Sequence, residues 1–193
     1  MKELTNDQIR ELARQNGIEY AALKAVVEVE ASGQGFVGNA PKILFEPHIM
    51  HRLLTQKNYI TIRNNLMKAH PSLCYPKWGT YKYGTVASQH DRLAKAAAFN
   101  RDTALESCSW GLGQVMGFHW KSLGYESIQA FVNAMYESEA KQLDAMIRFI
   151  KVNKLLDALK TKNWTAFARG YNGEGFAKNA YHTKLAAAYN KYK

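Results

Sequence analysis

The sequence predicts a mainly α-helical protein of the α+β class, a multi-helix globular domain with one small β-hairpin beside a buried helix. Apolar residues recur at helical spacing over most of the 193 residues. A single stretch, residues 36–46, combines the turn pair Gly38-Asn39 with an apolar run and is the only predicted hairpin. The sequence shows no internal repeat, linker or low-complexity segment. Residues 1–193 are therefore expected to form one domain.

The hydrophobic share, the net charge and the cysteine spacing limit the classes of function that this chain can have. A hydrophobic share of 47% with 22% charged residues is ordinary for a soluble globule. The 26 basic and 16 acidic residues give a formal net charge of +10, which predicts attraction to nucleic acid, anionic lipid or an anionic wall polymer. Cys74 and Cys108 lack the spacing of a metal site and are predicted to be buried thiols.

The chain begins with two predicted helices. In the first, Thr5 and Gln8 fit a capping box and Gly17 ends the helix. The second covers residues 21–30, which contain no Gly or Pro. Its apolar residues have the spacing of a helix face packed on a core: Ala22, Ala25, Val26 and Val29. The residues expected to end it are Ser32, Gly33 and Gly35.

Two glutamates near the end of this second helix have different neighbours. Glu28 has Lys24 one turn back and is predicted to be an ion-paired surface residue. Glu30 lies over an aliphatic strip: Leu23, Val26 and Val27. An apolar wall desolvates a carboxyl group and raises its pKa, as a general acid near neutral pH requires. The alternative is a helix-terminal glutamate solvated by loop water.

A second acid, Glu46, ends the apolar run of the predicted hairpin and is followed by Pro47 and His48. If the hairpin folds back over the helix end, Glu46 faces Glu30 across a cleft. The alternative is a strand-end carboxylate that is solvated or paired with a nearby cation: Lys42, Arg52 or His48. By itself, His48 is more typical of packing or hydrogen bonding than of a catalytic base.

Two helices are predicted next, at residues 49–56 and 59–69, and a long loop follows at residues 71–87. The loop places Trp78 and tyrosines among lysines. Such rings suit stacking on sugars or bases, or they pin the loop to the core. An alanine-rich helix follows at residues 88–100 and a short one at residues 102–106.

The segment SWGLGQVMGFHW, residues 109–120, places three glycines around Gln114. An amide both donates and accepts, and can therefore orient a hydroxyl or acetamido group. Taken alone, the residues favour a glycine-rich helix–helix crossing with Gln114 bonded to backbone.

The remaining chain is predicted to be helical over residues 127–160 and 164–171, with Asn172-Gly173 ending the latter helix. Glu137, Glu139 and Asp144 are predicted to be surface charges paired with Lys141 and Arg148. The final helix is expected to bury Tyr181, Leu185, Ala188, Tyr189 and Tyr192. Its exposed lysines are Lys178, Lys184, Lys191 and Lys193. These lysines suit either contact with anionic lipid or, as the pattern favours, plain solvation of a packed helix.

Four ordered motifs together resemble a known family: VEVEASGQGF, NAPKILFEPH, SWGLGQVMGFHW and ARGYNGEGFAKNAYHTKLAAAY. Their order resembles that of lysozyme-like lytic transglycosylases and goose-type lysozymes. The similarity is close for the N-acetylmuramidase domain of bacteriophage endolysins, and it runs from about Gly17 to Tyr189. The chain departs from the family pattern at Ala31, where Ser is usual, and at Asn39-Ala40, where Gly-Arg is usual.

The resemblance implies a lysozyme-like fold and hydrolysis of the β-1,4 bond between N-acetylmuramic acid and N-acetylglucosamine in bacterial peptidoglycan, without metal or cofactor. It implies that Glu30 is the general acid and Glu46 the second carboxylate. Candidate substrate contacts are Gln114, Tyr171, Asn172, His48 and Trp78.

The sequence leaves two other functions open. A lytic transglycosylase would cut the same bond with Glu30 as acid and base, and would add no water to its products. A basic nucleic-acid- or membrane-binding protein would use the charge and the aromatic loop, although no nucleic-acid-binding motif is present. The enzyme is expected to act as a monomer and to bind no nucleic acid. The N-terminus lacks an apolar signal region, so accumulation in the host cytoplasm and release after membrane permeabilisation are expected.

Overall fold

The computed structural model describes residues 2–31 and 33–193. Ser32, which was expected to help end the second helix, lies outside the described residues. The helices are α1 Asn6–Gln15, α2 Tyr20–Glu30, α3 Pro47–Gln56, α4 Ile60–Ala69, α5 Gln89–Ala97, α6 Arg101–Glu106, α7 Ile128–Glu137, α8 Glu139–Val152, α9 Leu156–Lys160, α10 Trp164–Asn172 and α11 Tyr181–Tyr192. The strands are β1 Phe36–Val37, β2 Ala40–Pro41, β3 Ile43–Phe45, β4 Cys108–Trp110 and β5 Val115–Met116.

The first helix begins as predicted. The Thr5 hydroxyl accepts a hydrogen bond from the Gln8 backbone N–H at 3.2 Å, and the Gln8 side chain accepts one from the Thr5 N–H at 2.9 Å. This capping box satisfies backbone donors that would otherwise have no partner in the helix. Ile9 and Ala13 then pack in the core.

The core surrounds α2, whose Ala22, Leu23 and Val26 are fully buried. Helix α11 packs along α2 through the buried Leu185 and Ala188. The tyrosines of α11 are only partly buried, so the prediction that they enter the core was too strong: Tyr181, Tyr189 and Tyr192. Among the described helices, none is long and apolar enough to cross a membrane. Cys74 and Cys108 are buried free thiols, as predicted.

Glu28 is an ion-paired surface residue, as predicted, but the prediction of Lys24 as its partner is wrong. Its carboxylate lies 2.9 Å from Lys191 on α11, whereas Lys24 donates to the Asn6 side chain. The packing of α11 along α2 brings Lys191 close enough to replace the local partner.

The sheets differ from the prediction. Strands β1 and β2 form the expected hairpin around Gly38-Asn39, but β3 leaves it and joins β4 and β5 in a separate three-stranded antiparallel sheet. The prediction of a helix crossing at residues 109–120 is therefore wrong. The loop from Gly111 to Gln114, with backbone φ angles of 67° and 48° at these two residues, turns β4 into β5.

The register of this sheet decides which side chains share a face. Leu44 pairs with Ser109, and Ser109 pairs with Met116. Along β3, Ile43 and Phe45 are buried in the core while Leu44 is only partly buried. Side chains alternate between the faces of a strand, so the residue after β3, Glu46, continues the face that carries Leu44. That face is the one away from the core.

Glu139 is not the surface charge that the sequence predicted. It is 7% exposed at the start of α8, where its carboxylate accepts hydrogen bonds from the backbone N–H groups of Gly35 at 2.6 Å and Leu4 at 2.8 Å. Backbone donors thus replace the expected lysine. The other two predicted pairs are confirmed: Glu137 with Lys141, and Asp144 with Arg148.

A second buried polar residue of α8, Gln142, holds the two loops at the ends of α2 and β4. Its side-chain oxygen accepts from the Leu112 N–H at 2.7 Å, and its nitrogen donates to the Gly35 and Met135 carbonyls. Because Gln142 is 1% exposed, these bonds are made without competition from water. Helix α8 therefore fixes both loops relative to each other.

We expect Gly111→Ala to lower the free energy of unfolding by about 1–3 kcal/mol, the usual cost of forcing atoms into a packed core. The added Cβ would lie 2.5 Å from Gln142 Cδ, and the φ of +67° disfavours any side chain. Chemical denaturation measures the change. Gly175→Ala is the matched control, because apart from its chain neighbours no heavy atom of the described residues lies within 4 Å of its added Cβ. Equal stability of the two variants would contradict the assigned role of Gln142.

Candidate active site

Glu30 is the last residue of α2, and its partly buried carboxyl group faces the end of α10. The Asn172 side-chain amide donates a hydrogen bond to Glu30 Oε1 at 2.9 Å. Within the described part of the chain, Oε2 receives no hydrogen bond. Tyr171, beside Asn172, is fixed by stacking on Phe167 and by an edge contact with Phe149. The sequence-predicted residues Glu30, Tyr171 and Asn172 thus come together.

Burial raises the pKa of the Glu30 carboxyl above its ordinary value of 4.5, while the Asn172 amide and the positive charge of Lys184 partly oppose the rise. The position of Glu30 at the C-terminal end of a helix also disfavours a negative charge there. Glu30 therefore holds its proton to higher pH than an exposed glutamate does.

Glu46 lies between β3 and α3, and its side chain is 16% exposed. Its Oε2 accepts a hydrogen bond from the Tyr83 hydroxyl. His48 Nδ1 lies 3.3 Å from the same oxygen but is not aligned as a hydrogen-bond donor. Of the alternatives to a catalytic role, a solvated strand-end acid does not fit the low exposure of Glu46, whereas the side chain of His48 does lie beside it. Arg52, another expected partner, instead lies over the Phe118 ring.

Trp78 lies in the long loop between α4 and α5 and is 69% exposed. Together with His48 and Tyr83 it lines a small cavity next to Glu46. As predicted, the loop is irregular, with short 3₁₀ turns at its ends and one further turn at Trp78-Gly79. The structure thus brings Glu46, His48 and Trp78 into a second cluster.

Gln114 and Tyr171 line one cavity of about 140 Å³, together with Met116, His119 and Phe149. The Gln114 amide is bonded to protein groups, as the residues alone favoured: it donates to the carbonyls of Gly111 and Lys42 and accepts from the Ser109 hydroxyl. The cavity lining includes Tyr171 of the first cluster and Met116 of the three-stranded sheet. Tyr171 adjoins Glu30, and Met116 belongs to the sheet face that Glu46 continues.

Three residues near these clusters were missed from the sequence: Tyr83, Lys184 and His119. Tyr83 was one of several tyrosines in the same loop, and no local signal distinguished it. Lys184 was assigned to a solvent-facing set on α11. His119 belongs to the glycine-rich segment around Gln114, and that position was the only signal available for it. Among the described residues, no group of three or more His, Cys, Asp or Glu side chains is arranged to hold a metal ion.

Cleavage of a glycosidic bond needs a protonated carboxyl group at the leaving oxygen and commonly a second carboxylate. The partly buried Glu30 carboxyl group, whose pKa is raised by burial, and the Glu46 carboxylate that Tyr83 holds are groups of these two kinds. With the mainly helical fold and its small antiparallel sheets, they indicate the class of lysozyme-like glycoside hydrolases.

The model of the N-acetylmuramidase family matches residues 19–193, and the chain belongs to this family. Its structure is similar to the crystal structure of a Burkholderia AP3 phage endolysin, with 41% sequence identity and a TM-score of 0.90, over 99% of this chain and 72% of that chain. No curated protein matches the sequence.

These comparisons confirm the predicted family, the predicted fold class and the predicted activity. The protein is a muramidase, a glycoside hydrolase that acts on bacterial peptidoglycan. Lytic transglycosylation is not favoured, since the family is one of N-acetylmuramidases.

Removal of the charge on Lys184 tests whether this lysine lowers the pKa of Glu30. Lys184→Met removes a cation that favours the ionised carboxylate, so the pKa of Glu30 rises further. If protonated Glu30 is the general acid, the alkaline limb of the pH–rate profile should move to higher pH. Lys178→Met is the control, since it removes the same charge from an exposed site on the preceding loop. An unmoved limb in Lys184→Met, or an equal shift in both variants, would show that Lys184 does not act on Glu30.

Proposed function

We propose that residues 1–193 form one catalytic domain that hydrolyses the β-1,4 bond between N-acetylmuramic acid and N-acetylglucosamine, with Glu30 as general acid and Glu46 as second carboxylate. The observation that carries the proposal is the desolvated Glu30 carboxyl group with a single amide donor at one oxygen. A group with these properties is protonated where an ordinary glutamate is ionised.

The Asn172 contact selects the oxygen that carries the proton. An amide N–H donates to Glu30 Oε1, which favours carbonyl character at that oxygen. The proton therefore resides on Oε2, where it can pass to the leaving glycosidic oxygen. After the transfer, the carboxylate is stabilised by the Asn172 amide and the Lys184 charge, which lowers the cost of ionisation inside the site.

The Glu46 carboxylate has the complementary role. Tyr83 engages Oε2, and within the described residues Oε1 receives no hydrogen bond. Oε1 is the oxygen that stabilises the oxocarbenium-like centre or activates the attacking water. His48, beside Oε2, contributes to the same wall of the site.

The remaining candidate residues bind the substrate or shape the cleft. The exposed Trp78 ring offers a flat apolar surface on which a sugar can stack. The Gln114 amide is bonded to protein groups, so we assign Gln114 and Tyr171 to the wall of the cleft. Asn172 orients Glu30. The net charge of +10 attracts the anionic peptide stems of the wall polymer.

The proposed biological setting is that of an endolysin. The 41% identity to a phage endolysin supports it. In this setting the enzyme accumulates as a monomer in the cytoplasm of the host bacterium and reaches the wall after the inner membrane is permeabilised.

We expect Glu30→Gln to lower the rate of reducing-sugar release from purified peptidoglycan by about 10²–10⁴-fold, the usual contribution of general acid catalysis. The control is Glu28→Gln, which makes the same change two residues earlier at an exposed ion pair. Retention of more than about a tenth of the parental rate by Glu30→Gln would place the acid elsewhere.

The raised pKa of Glu30 also predicts how Glu30→Gln changes the melting temperature at different pH values. Because the folded pKa of Glu30 is raised, ionisation costs stability as pH rises above 4.5 through the folded pKa. Glu30→Gln avoids that cost and keeps an acceptor for Asn172. Its melting temperature should therefore equal the parental value at pH 3 and be equal or higher at pH 7. A lower melting temperature at pH 7 alone would contradict the desolvated state.

The terminal helix was expected either to pack or to bind anionic lipid, and its contacts support packing. Lys191 is paired with Glu28, and Lys184 lies over the Tyr181 ring. We expect replacement of Lys178, Lys191 and Lys193 by glutamine to weaken co-sedimentation with phosphatidylglycerol vesicles no more than replacement of three exposed lysines on other surfaces, Lys68, Lys95 and Lys121. Lys184 is left in place so that Glu30 is unaffected. A selective loss in the first variant would assign lipid binding to this helix.

A further inference from the structure

Gln89, on α5, is a buried polar residue with no part in the chemistry described above. It is 2% exposed. Its side-chain nitrogen donates to the carbonyls of Tyr83 at 2.7 Å and Thr85 at 3.0 Å, and its oxygen accepts from the Phe45 N–H at 3.1 Å. One side chain therefore ties the end of the aromatic loop to the end of β3.

The two segments that Gln89 joins are the ones that carry Tyr83 and Glu46. Phe45 directly precedes Glu46, whose own N–H is bonded to the Ser107 carbonyl at 2.9 Å. The backbones on both sides of the Tyr83–Glu46 hydrogen bond are thus fixed independently of that bond. The donor is preorganised, so forming the contact costs little conformational entropy.

The Tyr83 hydroxyl is a donor over the whole working range of pH. Burial and the neighbouring Glu46 carboxylate both raise the pKa of Tyr83 above its ordinary value. The hydroxyl meets Oε2 of Glu46, and His48 Nδ1 lies beside the same oxygen. Both protein contacts are therefore on one side of the carboxylate, and the other oxygen is left for substrate or water.

We propose that Tyr83 is a positioning residue for muramidase activity, which holds Glu46 so that its Oε1 faces the reacting sugar. The proposal rests on the assignment of Glu46 as the second carboxylate. A tyrosine that only pinned the aromatic loop would affect stability or substrate binding and would not act through Glu46.

The test is a double-mutant cycle with Tyr83→Phe, Glu46→Gln and the double variant, assayed on soluble peptidoglycan fragments. Tyr83→Phe should lower kcat by about 10- to 100-fold, the effect of losing a hydrogen bond to a charged group in the transition state. KM and the melting temperature should change little. In the Glu46→Gln background the second substitution should have no further effect on kcat.

The control is Tyr125→Phe, which removes a buried hydroxyl that has no hydrogen-bond partner among residues 2–31 and 33–193, and it should leave kcat unchanged. If Glu46→Gln strongly lowers kcat but Tyr83→Phe keeps the parental kcat, the positioning role is overturned and the proposed function stands. Additive losses in the double variant would also overturn it, because Tyr83 would then act independently of Glu46. If Glu46→Gln keeps the parental kcat, the assignment of Glu46 and the role of Tyr83 both fail, while Glu30 is unaffected.

Discussion

The desolvation of one carboxyl group, Glu30, is the constraint on which the rest of the site depends. Helix α2 packs five residues between Ala21 and Val26 in the core, which fixes the position of its last turn, and Glu30 at its end is only partly exposed. The negative end of the helix dipole adds to the cost of ionisation. Asn172 and Lys184 limit that cost, so the proton is retained but can still be given up. A general acid needs this balance, because a carboxyl group that is too hard to ionise transfers its proton slowly.

The loops that carry or adjoin the candidate residues are held by buried polar side chains from more distant elements. Glu139 and Gln142 of α8 bind the backbone after α2 and the loop between β4 and β5, while Gln89 of α5 binds the loop that carries Tyr83. Buried polar groups are costly unless they are satisfied, and each of these makes hydrogen bonds to backbone groups. Their burial makes the bonds directional and hard for water to replace. The proposed catalytic groups therefore lie in a frame that is set before substrate binds.

The sequence predicts features whose partners are local. The capping box at Thr5 and the helix that ends at Glu30 follow from helical spacing, and the structure confirms both. The wrong predictions concern residues and strands whose partners are far away in the sequence. The partners of Glu139 are 104 and 135 positions away, and the partner that Glu28 prefers is 163 positions away. The three-stranded sheet was missed for the same reason: strands of two or three residues carry almost no periodic signal, and β3 and β4 come from distant parts of the chain.

The most direct measurement of the central claim is the titration of the Glu30 carboxyl group itself. In protein labelled with ¹³C at the glutamate side-chain carboxyl, the Glu30 signal can be assigned by its absence from Glu30→Gln. The desolvated site requires a titration midpoint above 4.5, the ordinary value for a glutamate. A midpoint at or below 4.5 would mean that Glu30 is ionised like a surface carboxylate, and it would contradict the assignment of Glu30 as the general acid.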